Sequence, residues 1–410
     1  MKKYLFGSAL LRVMAAVLLL VSGVSEGVSA SEEHLFRFLF IDGEQYRILS
    51  VVDQDVYINE RFSHSAEILN RISVEVSDLG EGIGRLRVSY DVSEENTQAT
   101  DVFQLSRSFE TEYRQNELGF MDVPRDFVRP MVRDVPVFPE YPIAPGTAWS
   151  NSGTEVHDLS ESFQIDERFE FRIPVVYQYL GVEEVEGRTM DVLAVRYSMF
   201  HRFPRTLEGM HPVAISGFSN QRHYWDRLRG RIHSYEEEYE IMYTLSTGDT
   251  VSYQGTAEAR VVETNLPDRT DVLDRLRERL LELNIPDTDV RESDRGITVS
   301  LEDIQFPPES AQLLPSEMNK LDRIIDLLSE YPDTDLLITG HTALAGTPEG
   351  RQRLSEARAA AVGNYLLQQG ARSRDQLIFR GVGADEPVAP NTSEEGRRRN
   401  RRVEFTILQD

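Results

Sequence analysis

Between Leu336 and Ile407 the hydrophobic spacing switches from strand to helix and back, which limits the fold more than any other feature of the chain. Leu336-Leu337-Ile338 is a short apolar run entering a Gly340-His341-Thr342 turn. Leu354, Ala357, Ala361 and Tyr365 then recur on one side at helical spacing. Gly370 stands where a helix end wants left-handed backbone. A Gly381-Val382-Gly383 turn, a loop with Pro387, Pro390 and Asn391, and a basic run lead to a last strand with Val403, Phe405 and Ile407 on one face. Upstream, Ile297, Val299 and Leu301 alternate as a strand. Met318, Leu321, Ile324, Ile325 and Leu328 form a helical stripe for which Ser316 is the N-cap candidate. Strands and helices alternating in this way predict helices packed on one face of a mixed sheet. The module they build runs over 288–410.

The pieces Gly340-His341-Thr342, Leu354-Ser355-Glu356-Ala357-Arg358-Ala359, Gly381 with Gly383, and Gly396-Arg397 with Asn400-Arg401-Arg402-Val403-Glu404 stand in one order. Together they resemble the OmpA-like C-terminal domain, the module that holds bacterial outer-membrane proteins to peptidoglycan. That resemblance implies a cell-envelope protein with peptidoglycan as partner. In the family an Asp directly after His-Thr meets the ammonium of diaminopimelate, and the Arg of the L-S-x-x-R-A motif meets its carboxylates. A guanidinium fork suits a carboxylate in a way that an ammonium does not.

Here the arginine is present as Arg358, but Ala343 stands where the family has Asp. The spacing from Ala343 to Arg358 is the family's own. Arg351 replaces an Asn that usually stands four residues before the motif serine, here Ser355. Two readings stay open. In one, a retuned pocket of Thr342, Ala343, Arg351, Leu354 and Arg358 takes a carboxylate-bearing ligand, including a peptidoglycan without diaminopimelate. In the other, binding is lost and the module is a scaffold, with Arg358 a surface helix arginine. Losing one charge-assisted contact costs on the order of 1.5–3 kcal/mol, about tenfold to a hundredfold in affinity. Asn391, Asn400 and Arg402 read as structural, holding loops and closing the module.

The rest of the chain lacks such motifs. Residues 1–30 read as a secretory signal peptide, with Lys2 and Lys3, an apolar stretch from Val13 to Val21, and Val28-Ser29-Ala30 for cleavage. Residues 31–264 read as soluble antiparallel β structure. Ile72, Val74 and Val76 face Leu86, Val88 and Tyr90 across the Gly80–Gly84 turn, a hairpin with one wet face. Arg196 on the outward side of the best barrel-like strand argues against a membrane barrel. Prolines 124, 130, 136, 139, 142 and 145 mark either a connector between two lobes, split near 124–148, or a crossover within one. A linker helix over 265–287, capped by Asp268 or Thr270, carries Val272, Leu273, Leu276, Leu280 and Leu283.

A net charge of −25 disfavours nucleic acid and anionic membrane surfaces as partners. The absence of cysteine excludes disulfides, thiol catalysis and a lipid-modified cysteine anchor. His34, His64, His157, His201, His211, His223 and His233 are scattered without metal-ligand spacing, so no metal or cofactor is expected. No catalytic constellation can be picked out, so an enzyme is not expected. The overall expectation is an α+β, exported, non-enzymatic envelope protein, periplasmic or associated with the outer membrane. Its partners are peptidoglycan and other periplasmic or outer-membrane proteins. The competing reading is a periplasmic carrier or sensor whose β region holds an apolar ligand, with the terminal module serving only to place it.

Overall fold

The computed structural model describes residues 33–95, 100–163, 165, 168–204, 209–262, 269–283, 285, 287–302, 304, 306–307 and 310–409. The expected signal peptide (1–30), the Asp268 cap and the prolines at 267, 286 and 308 lie outside these residues. The chain is mostly β, with helices gathered in its last third: an α+β protein built on a large open sheet.

The first part consists of β1 (Gln45–Ile58), β2 (Arg61–Asp78), β3 (Ile83–Glu95), β4 (Phe103–Asn116), β5 (Met121–Asp122), β6 (Val132–Arg133), β7 (Ala148–Asp158), the short helix α1 (Ser160–Phe163), β8 (Arg168–Val185), β9 (Arg188–Arg202), β10 (Pro212–Asp226), β11 (Arg231–Leu245) and β12 (Thr250–Val262). Its long strands lie side by side, all antiparallel, in the order β7-β8-β9-β10-β11-β12-β1-β2-β3-β4. The Ile72–Tyr90 and Val74–Val88 pairings follow the alternation in the sequence. Because β1 pairs with both β12 and β2, the strand blocks before and after the proline-rich passage share one sheet. That passage links the two outer strands of this array, β4 and β7, and carries β5 against the first and β6 against the second.

Strict alternation along β8 buries Phe169, Phe171, Ile173, Val175, Tyr177 and Tyr179 and exposes the residues between them. A second aromatic cluster of Phe36, Phe138, Tyr179 and Trp225 fills the space between the N-terminal segment and the sheet. Its rings meet at centroid distances of 4.8–6.2 Å, the offset and edge-on geometries that aromatic quadrupoles favour.

The last third consists of α2 (Arg269–Leu283), β13 (Thr288–Ser293), β14 (Gly296–Glu302), α3 (Pro315–Leu328), β15 (Leu336–Gly340), α4 (Pro348–Gln368), β16 (Leu377–Gly381), α5 (Glu394–Asn400) and β17 (Arg402–Leu408). Its strand order is β13-β14-β17-β15-β16, with only β15 and β16 parallel. The alternation of Ile297, Val299 and Leu301 belongs to the second strand of the module, and β13 before it is a strand that the sequence pattern does not mark. Ser316 is not the N-cap of α3: Leu314 holds that place and Pro315 opens the helix, where a missing N–H costs nothing. Gly370 does have left-handed backbone, at φ +69°.

The face of α4 is the main correction. Leu354, Ala357, Ala361 and Tyr365 stay half-buried or exposed, while Ser355, Ala359, Val362, Gly363 and Leu366 are buried. The helix lies so close to β15 and β16 that a Cβ on Gly340 would stand 2.2 Å from the Ser355 carbonyl oxygen. Only small side chains fit where Ser355 and Ala359 pass Gly340, so that end of the core side carries little apolar signal.

Candidate ligand-binding site

The parallel strands β15 and β16 end together, and their following turns are tied to each other. Val382 N donates to Gly340 O at 3.1 Å, and Thr342 N donates to Gly383 O at 2.7 Å. The buried Ser355 hydroxyl of α4 accepts from Gly383 N at 2.9 Å, fixing the helix against both turns. At its start, Thr347 caps α4 by accepting from Gly350 N at 3.1 Å. The side of α4 that turns away from the core therefore faces the loop after Thr342 and the second half of α5. A cleft of about 920 Å³ opens between them.

The structure brings the five sequence-selected residues Thr342, Ala343, Arg351, Leu354 and Arg358 into the lining of this one cleft. Thr342 is 7% exposed, and its Oγ1 is buried without a hydrogen-bond partner. Ala343 is buried in the wall. Arg358 is half-buried, donates from Nε to Ser310 O at 3.2 Å, and lies 4.7 Å from the centre of the Phe306 ring. Burial, and then the nearby Arg401, pull its guanidinium below its usual pKa. Arg351 donates from Nη1 to Gly346 O at 2.8 Å, and its buried Nε has no partner.

Arg353, Arg397 and Arg401 join the lining and were missed. The signal is present in the basic run before the last strand, where Arg397 and Arg401 are four apart, about one helical turn. Both pair with Glu394, at 2.7 and 3.0 Å. Among the described residues no carboxylate lines the cleft. Its field is cationic within a strongly acidic chain, so it suits an anionic group.

The other three named residues sit beside the cleft. Asn391 Oδ1 accepts from Leu344 N at 3.0 Å, anchoring the loop that carries Ala343. Asn400 is buried; it accepts from Val388 N and Ala389 N and donates to Ala389 O. Arg402, also buried, pairs with Glu404 at 2.7 Å and donates to Glu386 O. Burial opposes the Glu404 charge, but His341 and Arg402 outweigh it and hold the carboxyl well below the usual range. Burial lowers His341 in turn.

The model of the OmpA family matches residues 305–401, which hold the cleft and both of its turns. Residues 305–401 are an OmpA-family domain. Relatives match this C-terminal region. The chain is 32% identical over 137 residues to a probable lipoprotein, YiaD, of Escherichia coli (strain K12), covering 30% of this chain and 62% of that protein. It is 36% identical over 104 residues to the peptidoglycan-binding protein ArfA of Mycobacterium tuberculosis, covering 25% and 32%. It is 33% identical over 105 residues to outer membrane porin F of Pseudomonas aeruginosa, covering 26% and 30%. The chain thus spans less than two thirds of each of these proteins. Among solved structures, an outer membrane protein from Borrelia burgdorferi B31 is 38% identical, with 30% of this chain and 97% of that one covered at a TM-score of 0.25. The OmpA-family domain accounts for the cleft; the β region before it lies outside the family match.

Proposed function

We propose that the protein is a non-enzymatic, exported cell-envelope protein, periplasmic or associated with the outer membrane, whose OmpA-family domain associates with peptidoglycan. Its segments are a signal peptide (1–30), a soluble β-rich region (31–264), a linker helix (265–287) and the terminal module (288–410), with the helices of the module on one face of its sheet. The observation that carries this reading is the arginine-lined cleft with an unpartnered Thr342 hydroxyl at its base. The likeness of the domain to a peptidoglycan-binding protein supports it.

With Ala343 in the wall the cleft offers no anion to a ligand ammonium. Arg358 and Arg351 make the polar contacts to a carboxylate of the stem peptide, and Thr342 adds a hydroxyl. Phe306 and Ser310 hold the Arg358 guanidinium in place before ligand arrives, which reduces the ordering cost of binding. The carrier reading needs a hollow β region. The aromatic clusters around Tyr177, Tyr179 and Trp225 favour the envelope-binding reading instead.

The test is retention of the full-length protein on purified sacculi, wild type beside Arg358→Ala. The proposal expects retention that falls tenfold to a hundredfold in the variant. Equal retention, or none for either protein, removes the cleft from the function.

A further inference from the structure

The OmpA-family domain is not self-contained in this chain. Phe103 and Gln104 at the start of β4 pair in parallel with Ile378 and Phe379, so the β region adds a strand to the edge of β16. Val102, directly before, is fully buried in the core of the terminal module together with Ile338, Ala359, Val362 and Leu366. It occupies the space left by Gly363, whose absent Cβ would lie 3.2 Å from a Val102 methyl. Successive strand residues point to opposite faces. Phe103 accordingly enters a different cluster, where Leu69 and Val51 of the β region meet Leu337, Ile378 and Leu408 of the module.

Charges surround this seam. Asp335 accepts from Arg47 at 2.5 Å and from Arg71 at 3.0 Å, all three deeply buried. Arg374 pairs with Glu67 at 2.5 Å and Glu95 at 3.1 Å, lies 4.2 Å from the Phe103 ring centre, and donates to Asp101 O. Arg260 pairs with Asp375, and Arg295 with Asp91.

We infer that the β region and the OmpA-family domain form one interlocked body, in which residues 100–104 complete the sheet and core of the domain. Undocking would expose Leu337, Ile378 and Leu408 to water and break both ion pairs of Asp335. Burial of this apolar surface is what favours the closed contact. The geometry also assigns a direction. Asp335 and Asp375 lie before the N-terminal ends of β15 and β16, whereas Thr342 and Ala343 follow the C-terminal end of β15. The cleft points away from the seam, and a pull on its occupant runs along β15 into the β region. The union itself stands on the contacts above; only this mechanical consequence rests on the peptidoglycan reading.

The chain crosses from β region to module once, between Val262 and Arg269. A protease site placed there in the full-length protein allows the halves to be cut apart after folding. The inference expects the cut wild-type halves to co-elute on gel filtration at the volume of the uncut protein. Cut Val102→Asp halves should separate. Cut Arg374→Ala, a variant at the half-exposed rim, should dissociate at least tenfold faster, which covers the case that Val102→Asp fails to fold. Separation of the wild-type halves overturns the inference, as does a cut Arg374→Ala protein that holds together as long as wild type. Halves that co-elute but do not bind sacculi would leave the union intact and sink only the peptidoglycan reading.

Discussion

Arg71 and Asp335 are 264 residues apart in the chain and 3.0 Å apart in the fold, with side chains only 3% and 4% exposed. Arg47 reaches the same carboxylate oxygen at 2.5 Å. One acid of the terminal module thus meets two buried arginines of the β region across the contact between the two parts.

Replacing Asp335 by Ala leaves both guanidinium groups buried without their counter-ion. Removing one partner of a buried ion pair costs about 3–5 kcal/mol, so the Asp335→Ala denaturation midpoint should fall steeply. A midpoint within error of wild type would show that water reaches these arginines and that the contact is dispensable.

Restoring an acid to the cleft should change its ligand preference. Ala343→Asp places a carboxylate in the wall of a cleft that Arg351 and Arg358 also line. Calorimetry with stem peptides should show affinity for an amine-bearing peptide rising about tenfold to a hundredfold, the worth of one charge-assisted contact. Affinity for a peptide lacking the free amine should not rise. Equal gains for both peptides would contradict the proposed charge logic.

Gly340→Ala tests the seam that positions α4. The added methyl would stand 2.2 Å from a backbone oxygen, Ser355 O, which cannot rotate away. Overpacking of this kind costs about 1–3 kcal/mol. It should also shift Leu354 and Arg358, so chemical denaturation and sacculus retention should both decline. Loss of stability with full retention would mean that the helix moves without disturbing the cleft.

Acid should weaken the β region through His223. Burial pushes this imidazole from its ordinary 6.5 down to about 4, where its Nε2 meets Gln221 Oε1 at 2.6 Å. Between those values the unfolded chain binds a proton that the folded chain refuses. Stability therefore falls as pH drops from 6.5 to about 4 and is not lost further through this group below that, on the order of 3 kcal/mol in all. Stability curves for wild type and His223→Asn should diverge in slope within that window. Parallel curves would exclude His223 as the source. His341, also depressed by burial, acts in the same direction in both proteins.

Much of the cleft is legible in the sequence. The resemblance to the OmpA-like domain points to Thr342, Ala343, Arg351, Leu354 and Arg358, and the fold collects them in one lining. Arg397 and Arg401 lie outside the positions that the resemblance assigns to ligand, and only the path of the chain through α5 carries them to the cleft.

The amino-acid sequence alone determined features governed by local period: the β2–β3 hairpin with Val74 opposite Val88, the last strand β17, and the left-handed end of α4 at Gly370. Each depends on residues near one another, so side-chain alternation or the freedom of one glycine is enough. The core side of α4, the joining of β4 to β16, and the Arg47–Asp335–Arg71 cluster were decided only in three dimensions. The reason is physical. A helix whose buried side mixes Ser355, Ala359 and Gly363 with only Val362 and Leu366 shows a weak apolar stripe, and an arginine that will be buried against an acid hundreds of residues away looks, in the sequence, like any solvated charge.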